Sequence, residues 1–461
     1  MNDYERFIAS KKHSTGSFGF EPVWMPDSAF DFQKAILTKA INKGRIGVFA
    51  DTGLGKTLIQ TAIAENIIRK TNGRVLILTP LAVAFQFIDE AARIGVWDIE
   101  HSKDGKFSKK IVVCNYERLH LFKPSDFQCV MLDESSILKN FQGKIRDQVV
   151  AFIKKVPYRF LSTATPSPND FIELGNSSEA LGYMGYMDML GKFFKSTQND
   201  VDSNNRNIGN KFRLLAHAER DFFDWVNQWS VMVKKPSDLG FSDDGYNLPA
   251  LHVNRHITTN DEAWSVGGQS SLWVQPARTM SEVKAEQQST IKQRCEKSAE
   301  LATGKTSVYW CNFNEESSLL KTIDSEAVEI LGGMSIDQKE EILIAFANGE
   351  IKRLITKAKM TSTGLNWQHC NHTVFFPTWS YEQYYQAIRR FWRFGQKNEV
   401  TCDMVISEGQ SRVLDALEQK TQKAIELYAN LIESAKASRD FKLTSKNTEA
   451  KIKLPQFIKT K

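Results

Sequence analysis

The sequence predicts an α/β protein in which two parallel-sheet blocks stand in tandem with a helical insertion between them. Three observations carry that prediction. From Arg45 to Ser162 short apolar runs alternate with stretches of helical spacing. Between Phe171 and Pro249 the alternation stops, and aromatic-rich helical segments replace it. From Ser307 to Ile406 the alternation resumes. Strands separated by helices pair in parallel, bury both sheet faces and leave ligand sites at their carboxyl ends. The expected division is a lead-in at 1–29, a first lobe at 30–170, a helical insertion at 171–250, a second lobe at 251–435 and a basic tail at 436–461.

The first lobe opens with F-D-F-Q-K-A-I-L-T-K-A-I from Phe30, which has helical spacing. Strand Arg45–Ala50 (R-I-G-V-F-A) follows, then a proline-free helix at Leu58–Lys70. Strand Arg74–Thr79, helix Ala82–Ile94 and strands Ile111–Asn115, Val130–Leu132 and Arg159–Ser162 complete the block. In the insertion, Leu181–Phe194 and Ala218–Met232 read as helices around a polar loop at Ser196–Asn210. A helix at Ser281–Leu301 leads into the second block. Its strands are Ser307–Cys311, Ala327–Ile330, Arg353–Thr356, Thr373–Phe376 and Val400–Ile406, with helices at Ile336–Ala347 and Tyr381–Phe391. Ser411–Ala435 carries Leu414, Leu417, Ala424, Ile425, Tyr428, Leu431 and Ile432 at the spacing of a helix packed on the body.

Composition narrows the class. At 461 residues, 41% hydrophobic and 25% charged, the chain has the make-up of a soluble protein of several domains. No apolar run approaches the ~20 residues that cross a bilayer, so no membrane partner is expected. The first twelve residues carry early acids and no apolar segment, unlike a secretory leader. Cys114, Cys129, Cys295, Cys311, Cys370 and Cys402 form no C-x-x-C pair, which argues against a zinc site or disulfides and for a reducing, cytoplasmic setting. The net charge of +6 comes entirely from 436–461, with eight Lys/Arg and two acids. The other 435 residues hold 52 of each sign, so any nucleic-acid groove must come from local clustering.

The chemistry begins at A-D-T-G-L-G-K-T, residues 50–57. Strand, glycine-containing turn and helix form the context of a phosphate-binding loop. Thr52, Gly53, Leu54 and Gly55 would turn backbone N–H groups inward, Lys56 would reach the β/γ-phosphates and the Thr57 hydroxyl would hold Mg2+. Ala50 stands where the strict signature asks for glycine. After the run C-V-M-L come Asp133 and Glu134, suited to holding magnesium and to polarising the attacking water, respectively. Near the other end, Q-A-I-R-R-F-W-R-F-G-Q (386–396) sets Arg390 and Arg393 three apart, on one face of a helix, where two guanidiniums suit a transition state with charge spread over phosphate oxygens. Phe391, Trp392 and Phe394 between them offer a stacking or nucleic-acid patch as an alternative. Thr303-Gly304-Lys305-Thr306 repeats G-K-T with helix and strand in the reverse order, and reads as a turn.

The ensemble resembles the superfamily 2 helicases and translocases of the DEAD/DEAH-box type, nearest the Swi/Snf-like branch, over roughly residues 30–410. A-D-T-G-L-G-K-T resembles motif I, and its Ala50 is a family feature. L-I-L-T-P-L (76–81) resembles motif Ia, N-Y-E (115–117) Ib, D-E-S-S (133–136) II and S-T-A-T-P (162–166) III. V-Y-W-C-N-F (308–313) resembles IV, T-S-T-G-L-N (361–366) V and 386–396 VI. The resemblance implies two RecA-like lobes with ATP and Mg2+ between them. Gln33 would read adenine and Gly364 would line the nucleotide site. Pro80, Asn115, Tyr116, Thr361, Ser362 and Thr363 would meet nucleic acid, DNA being favoured and RNA the alternative.

Two departures stand out. Ser135-Ser136 replace the usual small residue and histidine of motif II, and Arg389 stands where an acid is common. Three functions follow. The first is a DNA-dependent ATPase tracking on duplex DNA, the second a strand-separating helicase. The third is a nucleotide-gated interaction module of low turnover that partners a nuclease or methyltransferase. The compact core points to a phage or prokaryotic protein.

Overall fold

The computed structural model describes residues 17–80, 83–139, 144–197, 212–258, 265–266, 269–270, 287–361 and 366–437. The first lobe comprises α1 (Asp31–Lys43), β1 (Arg45–Ala50), α2 (Lys56–Thr71), β2 (Val75–Thr79), α3 (Ala84–Arg93), β3 (Ile99–His101), β4 (Ile111–Asn115), β5 (Cys129–Asp133), α4 (Lys144–Ile153) and β6 (Tyr158–Ser162). After it come α5 (Leu174–Leu181), α6 (Tyr186–Phe193), β7 (Phe194–Ser196), β8 (Phe212–Leu214), α7 (Glu219–Trp229) and β9 (Ser230–Val233). The sheet order is β3-β4-β2-β5-β6-β1-β9, and every pairing in it is parallel.

Alternation along each strand explains the layering. Val75 and Ile77 pack with α1, α2 and α3 in one core, whereas Leu76 and Leu78 pack with α4 to α7 in the other. Both faces are thereby covered, as a parallel sheet requires. The helical insertion packs against this sheet. Its helices complete the second layer of the first lobe, and Ser230–Met232, expected to be helical, instead form part of β9 beside β1. The β-branched and sulfur-containing run S-V-M-V suits that fully buried strand. The helix expected at Leu181–Phe194 is broken at Gly182–Gly185. The expected loop Ser196–Asn210 lies largely outside the described residues.

The second lobe begins with β10 (Leu251–Thr258), which sequence periodicity did not reveal. A small ladder, β11 (Ser265–Val266) with β12 (Gln269–Ser270), follows. Then come α8 (Ile291–Ala302), β13 (Ser307–Trp310), α9 (Asn314–Ile323), β14 (Val328–Glu329), α10 (Ile336–Ala347), β15 (Arg353–Thr356), α11 (Ala358–Thr361), β16 (His372–Phe375), α12 (Tyr381–Ile388), β17 (Val400–Ser407) and α13 (Ser411–Ala437). Its sheet, β10-β17-β16-β13-β15-β14, is again wholly parallel. Within it the fully buried ion pair Arg294–Glu316, at 2.7 Å, pins α8 to α9. Thr303–Thr306 is the turn from α8 into β13, as expected.

Helix α13 belongs to both lobes. Leu414, Leu417 and Ala424 lie in the second-lobe core, while Leu427, Tyr428 and Leu431 lie in the first-lobe core. Asn227 of α7 donates to the Leu431 carbonyl at 3.1 Å, and Ser434 donates to Asp224 at 2.6 Å. All six cysteines are buried free thiols. Among the described residues, no helix is long and apolar enough to cross a membrane.

Candidate nucleotide-binding site

The carboxyl ends of β1 and β5 and the turn after α12 converge on one cavity of about 600 Å³ between the lobes. Its size is that of a small-molecule site. Gln33, Thr52, Gly53, Gly55, Lys56, Thr57, Asp133 and Glu134 line it from the first lobe, with Arg389, Arg390, Arg393 and Phe394 opposite.

Gly53 and Gly55 adopt φ of +88° and +79°, which only glycine takes without strain. Space is equally tight: a Cβ on Gly55 would fall 2.3 Å from the Gln33 amide, and one on Gly53 2.8 Å from Phe394 Cβ. Gly55 caps α2, so the helix N-terminus, with its unpaired N–H groups, opens at Lys56 and Thr57. Lys56 donates to the Ala50 carbonyl at 3.1 Å. Burial pulls its amine down, opposed by the charges of Glu134, Asp51 and Asp133. Leu54 is buried beneath the loop and contributes packing.

Asp133 ends β5, 6% exposed. It accepts hydrogen bonds from Gln60 at 2.8 Å and Thr79 at 3.3 Å. Burial, and then the adjacent Glu134, raise its pKa to about 6. Asp133 and Glu134 line one cavity with Thr57, an oxygen donor set that fits Mg2+. Glu134 is one of two non-glycine residues at positive φ among the described residues, at +53°. That strained backbone turns its carboxylate to accept from Thr163 at 3.0 Å. Thr163 also accepts from the Thr165 N–H, and Tyr428 of α13 donates to the Ala164 carbonyl. The S-T-A-T-P turn thus joins the acidic pair to the helix shared by both lobes.

The arginines reach the cavity differently from expectation. Helix α12 ends at Ile388, and Arg390 and Arg393 stand on successive turns beyond it rather than on a helix face. Burial lowers their pKa values to about 9 and about 10, which leaves both charged at neutrality. Arg393 Nε is buried without a hydrogen-bond partner, a donor held in reserve inside the cavity wall. The neighbouring aromatics are each engaged within the protein, Trp392 and Phe394 while half-buried. Phe391 is fully buried, Trp392 donates to the Pro249 carbonyl at 2.7 Å, and Phe394 stacks on Tyr246 at 4.5 Å.

Gln33 lines the cavity, but its amide is engaged within the protein. It donates to the Leu54 carbonyl at 3.1 Å and accepts from the Phe30 N–H at 2.9 Å. Phe30 and Tyr246, edge-to-face at 5.9 Å, add an aromatic wall that sequence reasoning missed because 213 positions separate Tyr246 from Gln33. Gln60, Thr79, Tyr385 and Asp51 were likewise missed. None stands out from its sequence neighbours.

The residues expected to meet nucleic acid differ in their placement. Asn115 and Tyr116 are each 4% exposed, and the Tyr116 hydroxyl donates to the Asp133 carbonyl at 2.6 Å. That bond places the end of β4 beneath the end of β5. Pro80 follows β2 and is partly exposed. Thr361 ends α11, whereas Ser362, Thr363 and Gly364 lie outside the described residues.

Comparison with known proteins accords with this geometry. Residues 30–173 match the DEAD/DEAH box helicase family and residues 289–395 the helicase conserved C-terminal domain. No curated protein matches the chain in sequence. Among solved structures, a variant of S. cerevisiae Dbp5 bound to RNA and ADP BeF3 is similar, with a TM-score of 0.52 at 12% identity over 87% of this chain and 93% of that one. One helicase domain falls on each lobe, and the cavity lies where the two meet. The chain belongs to the superfamily 2 helicases of the DEAD/DEAH-box type, ATP-hydrolysing enzymes built on two RecA-like lobes.

Proposed function

We propose that the protein hydrolyses ATP in the inter-lobe cavity and converts the cycle into movement along duplex DNA. The observation that carries this reading is the meeting of Lys56, Asp133 and Glu134 with Arg390 and Arg393 across one cavity. The triphosphate lies on the loop from Gly53 to Thr57, with Lys56 at the β/γ-phosphates. Thr57 and Asp133 would hold Mg2+, which would supply neutralisation of the phosphate oxygens. Glu134, kept in place by Thr163, orients the attacking water. Arg390 and Arg393 come from the second lobe, so full stabilisation of the transition state depends on lobe closure. An arginine delivered in this way is worth about a thousandfold or more.

Closure and opening of two lobes on a shared backbone would step the protein along it. Contacts to phosphates permit such tracking without sequence readout. Pro80, Thr361, Ser362 and Thr363 are the residues proposed for those contacts. The duplex-DNA preference rests on the Swi/Snf-like form of motifs I and VI. A second reading, strand separation on RNA, is favoured by the likeness to Dbp5 in its RNA-bound form. ATPase rate measured with duplex DNA, single-stranded DNA and RNA at one salt concentration separates them. Stimulation by duplex DNA above the other two supports the first reading, and stimulation by RNA alone supports the second. Background turnover with all three sinks both and leaves the nucleotide-gated module serving a nuclease or methyltransferase.

A further inference from the structure

All three arginines after α12 line the cavity, but they differ in what they touch. Arg389, 6% exposed, turns to the beginning of the phosphate loop in the opposite lobe. Its Nη2 lies 2.7 Å from Asp51 Oδ2. The same nitrogen donates to the Thr52 carbonyl at 3.2 Å, and Nε donates to Thr52 Oγ1 at 2.6 Å. Tyr385, one helical turn earlier, donates to the other Asp51 oxygen. That oxygen also accepts from the Thr52 N–H at 2.6 Å. Thr52 is therefore gripped at its N–H, its carbonyl and its hydroxyl by one buried ion pair. Beside it, the backbone of Phe394 abuts Gly53.

We propose that Asp51 and Arg389 form a clasp across the lobe interface, and that Arg389 is a positioning residue acting on the phosphate loop through Thr52. The inference rests on the ATPase reading of this cavity. A guanidinium suits the task because its planar fork reaches a carboxylate, a carbonyl and a hydroxyl together, which an ammonium on a flexible stem does not. An acidic side chain at 389 would instead face the Asp51 carboxylate, with two like charges buried together. Motion of the second lobe then pulls directly on the loop that carries the triphosphate. The work divides among the three arginines: one sets the loop, two face the reacting phosphate.

The test is a mutant cycle in the full-length chain, with ATP turnover, affinity for a fluorescent ATP analogue and thermal melting measured for each variant. Asp51→Asn and Arg389→Gln should each lower kcat about 10- to 100-fold while analogue affinity changes far less, because loop placement and not binding is impaired. The double variant should be no slower than the worse single one, since coupled partners are not additive. Arg389→Lys, which keeps charge but not the fork, should recover only part of the rate. Thr52→Val leaves the buried charges paired and covers the case in which a charge variant fails to fold. It should slow wild-type turnover and add nothing to Arg389→Gln. Multiplicative effects in the double variant, full activity in Arg389→Gln, or full recovery by Arg389→Lys would each overturn the clasp. If wild type turns over no ATP with any nucleic acid, the ATPase reading fails separately. The clasp is then judged on the analogue's dissociation rate in the same cycle, where coupled effects uphold it and independent ones overturn it.

Discussion

Glu134 and Asp133 are adjacent in sequence yet are held by different constraints, and their substitutions should differ accordingly. Glu134 is fixed by a strained backbone and by Thr163, with its carboxylate turned to the cavity. Glu134→Gln should retain binding of an ATP analogue while turnover falls roughly 100-fold or more, the usual scale for a lost general base. Arg393→Ala should do likewise from the other lobe. Asp133 has a pKa raised to about 6, first by burial and then by Glu134. A carboxylate with a folded-state pKa above its unfolded value favours folding at pH below the ordinary carboxylate range. That contribution is lost as pH rises through about 6. In magnesium-free buffer Asp133→Asn should therefore melt above wild type at pH 8, with the gap closing toward pH 4. A pH-independent melting difference would refute the assignment of buried charge to Asp133.

Among the elements, α13 departs furthest from its reading in the sequence. Its apolar positions predicted a helix packed on the body, and 27 helical residues are present. Spacing could not reveal that one stripe serves two cores, or that Ile425 is 46% exposed where the helix passes between them. Leu431 is fully buried in the first lobe, more than 400 residues after that lobe begins. Leu431→Ala should cost about 2–5 kcal/mol, the range for a buried leucine that leaves a cavity, measured by denaturant unfolding. Tyr428→Phe removes only the hydroxyl that donates to the Ala164 carbonyl. It should lower turnover more than stability, because that bond leads through Thr163 to Glu134. Equal losses in both would mean that the contact is merely structural.

The whole molecule is two lobes clasped at the phosphate loop and strapped by α13, so the lobes are not independent folding units. A chain ending at residue 250 would leave its first-lobe core without Leu427, Tyr428 and Leu431, uncovering part of the aromatic cluster around Phe222 and Trp229. That fragment should melt well below the full-length protein. A peptide spanning 411–437 should raise its melting temperature by mass action, since it binds only the folded form. No shift at saturating peptide would exclude α13 as a shared structural element. Charge operates at the same scale. The tail at 436–461 carries all the net positive charge, and the rest balances. Nucleic-acid binding by a chain truncated at 437 should therefore show a shallower salt dependence than binding by the full-length chain.

What the sequence determined by itself was local. Apolar alternation marked the strands, glycines at 53 and 55 marked the turn, and the acids at 133 and 134 followed a buried strand. Each of these is decided by neighbours within a few residues, through backbone sterics or a period of burial. Both parallel sheets and the order of the motifs followed from them. The tertiary structure alone decided which distant groups meet. It made S-V-M-V a strand by offering it the edge of β1, and it buried Asn115 and Tyr116, tying the Tyr116 hydroxyl to the Asp133 carbonyl. It also ended α12 at Ile388, so that a turn and not a helix face delivers Arg390 and Arg393. Most of all it joined Asp51 to Arg389, a partner 338 positions away. Ion pairs, edge strands and shared cores are satisfied by proximity in space, and nothing in a local run of residues records the partner that will arrive.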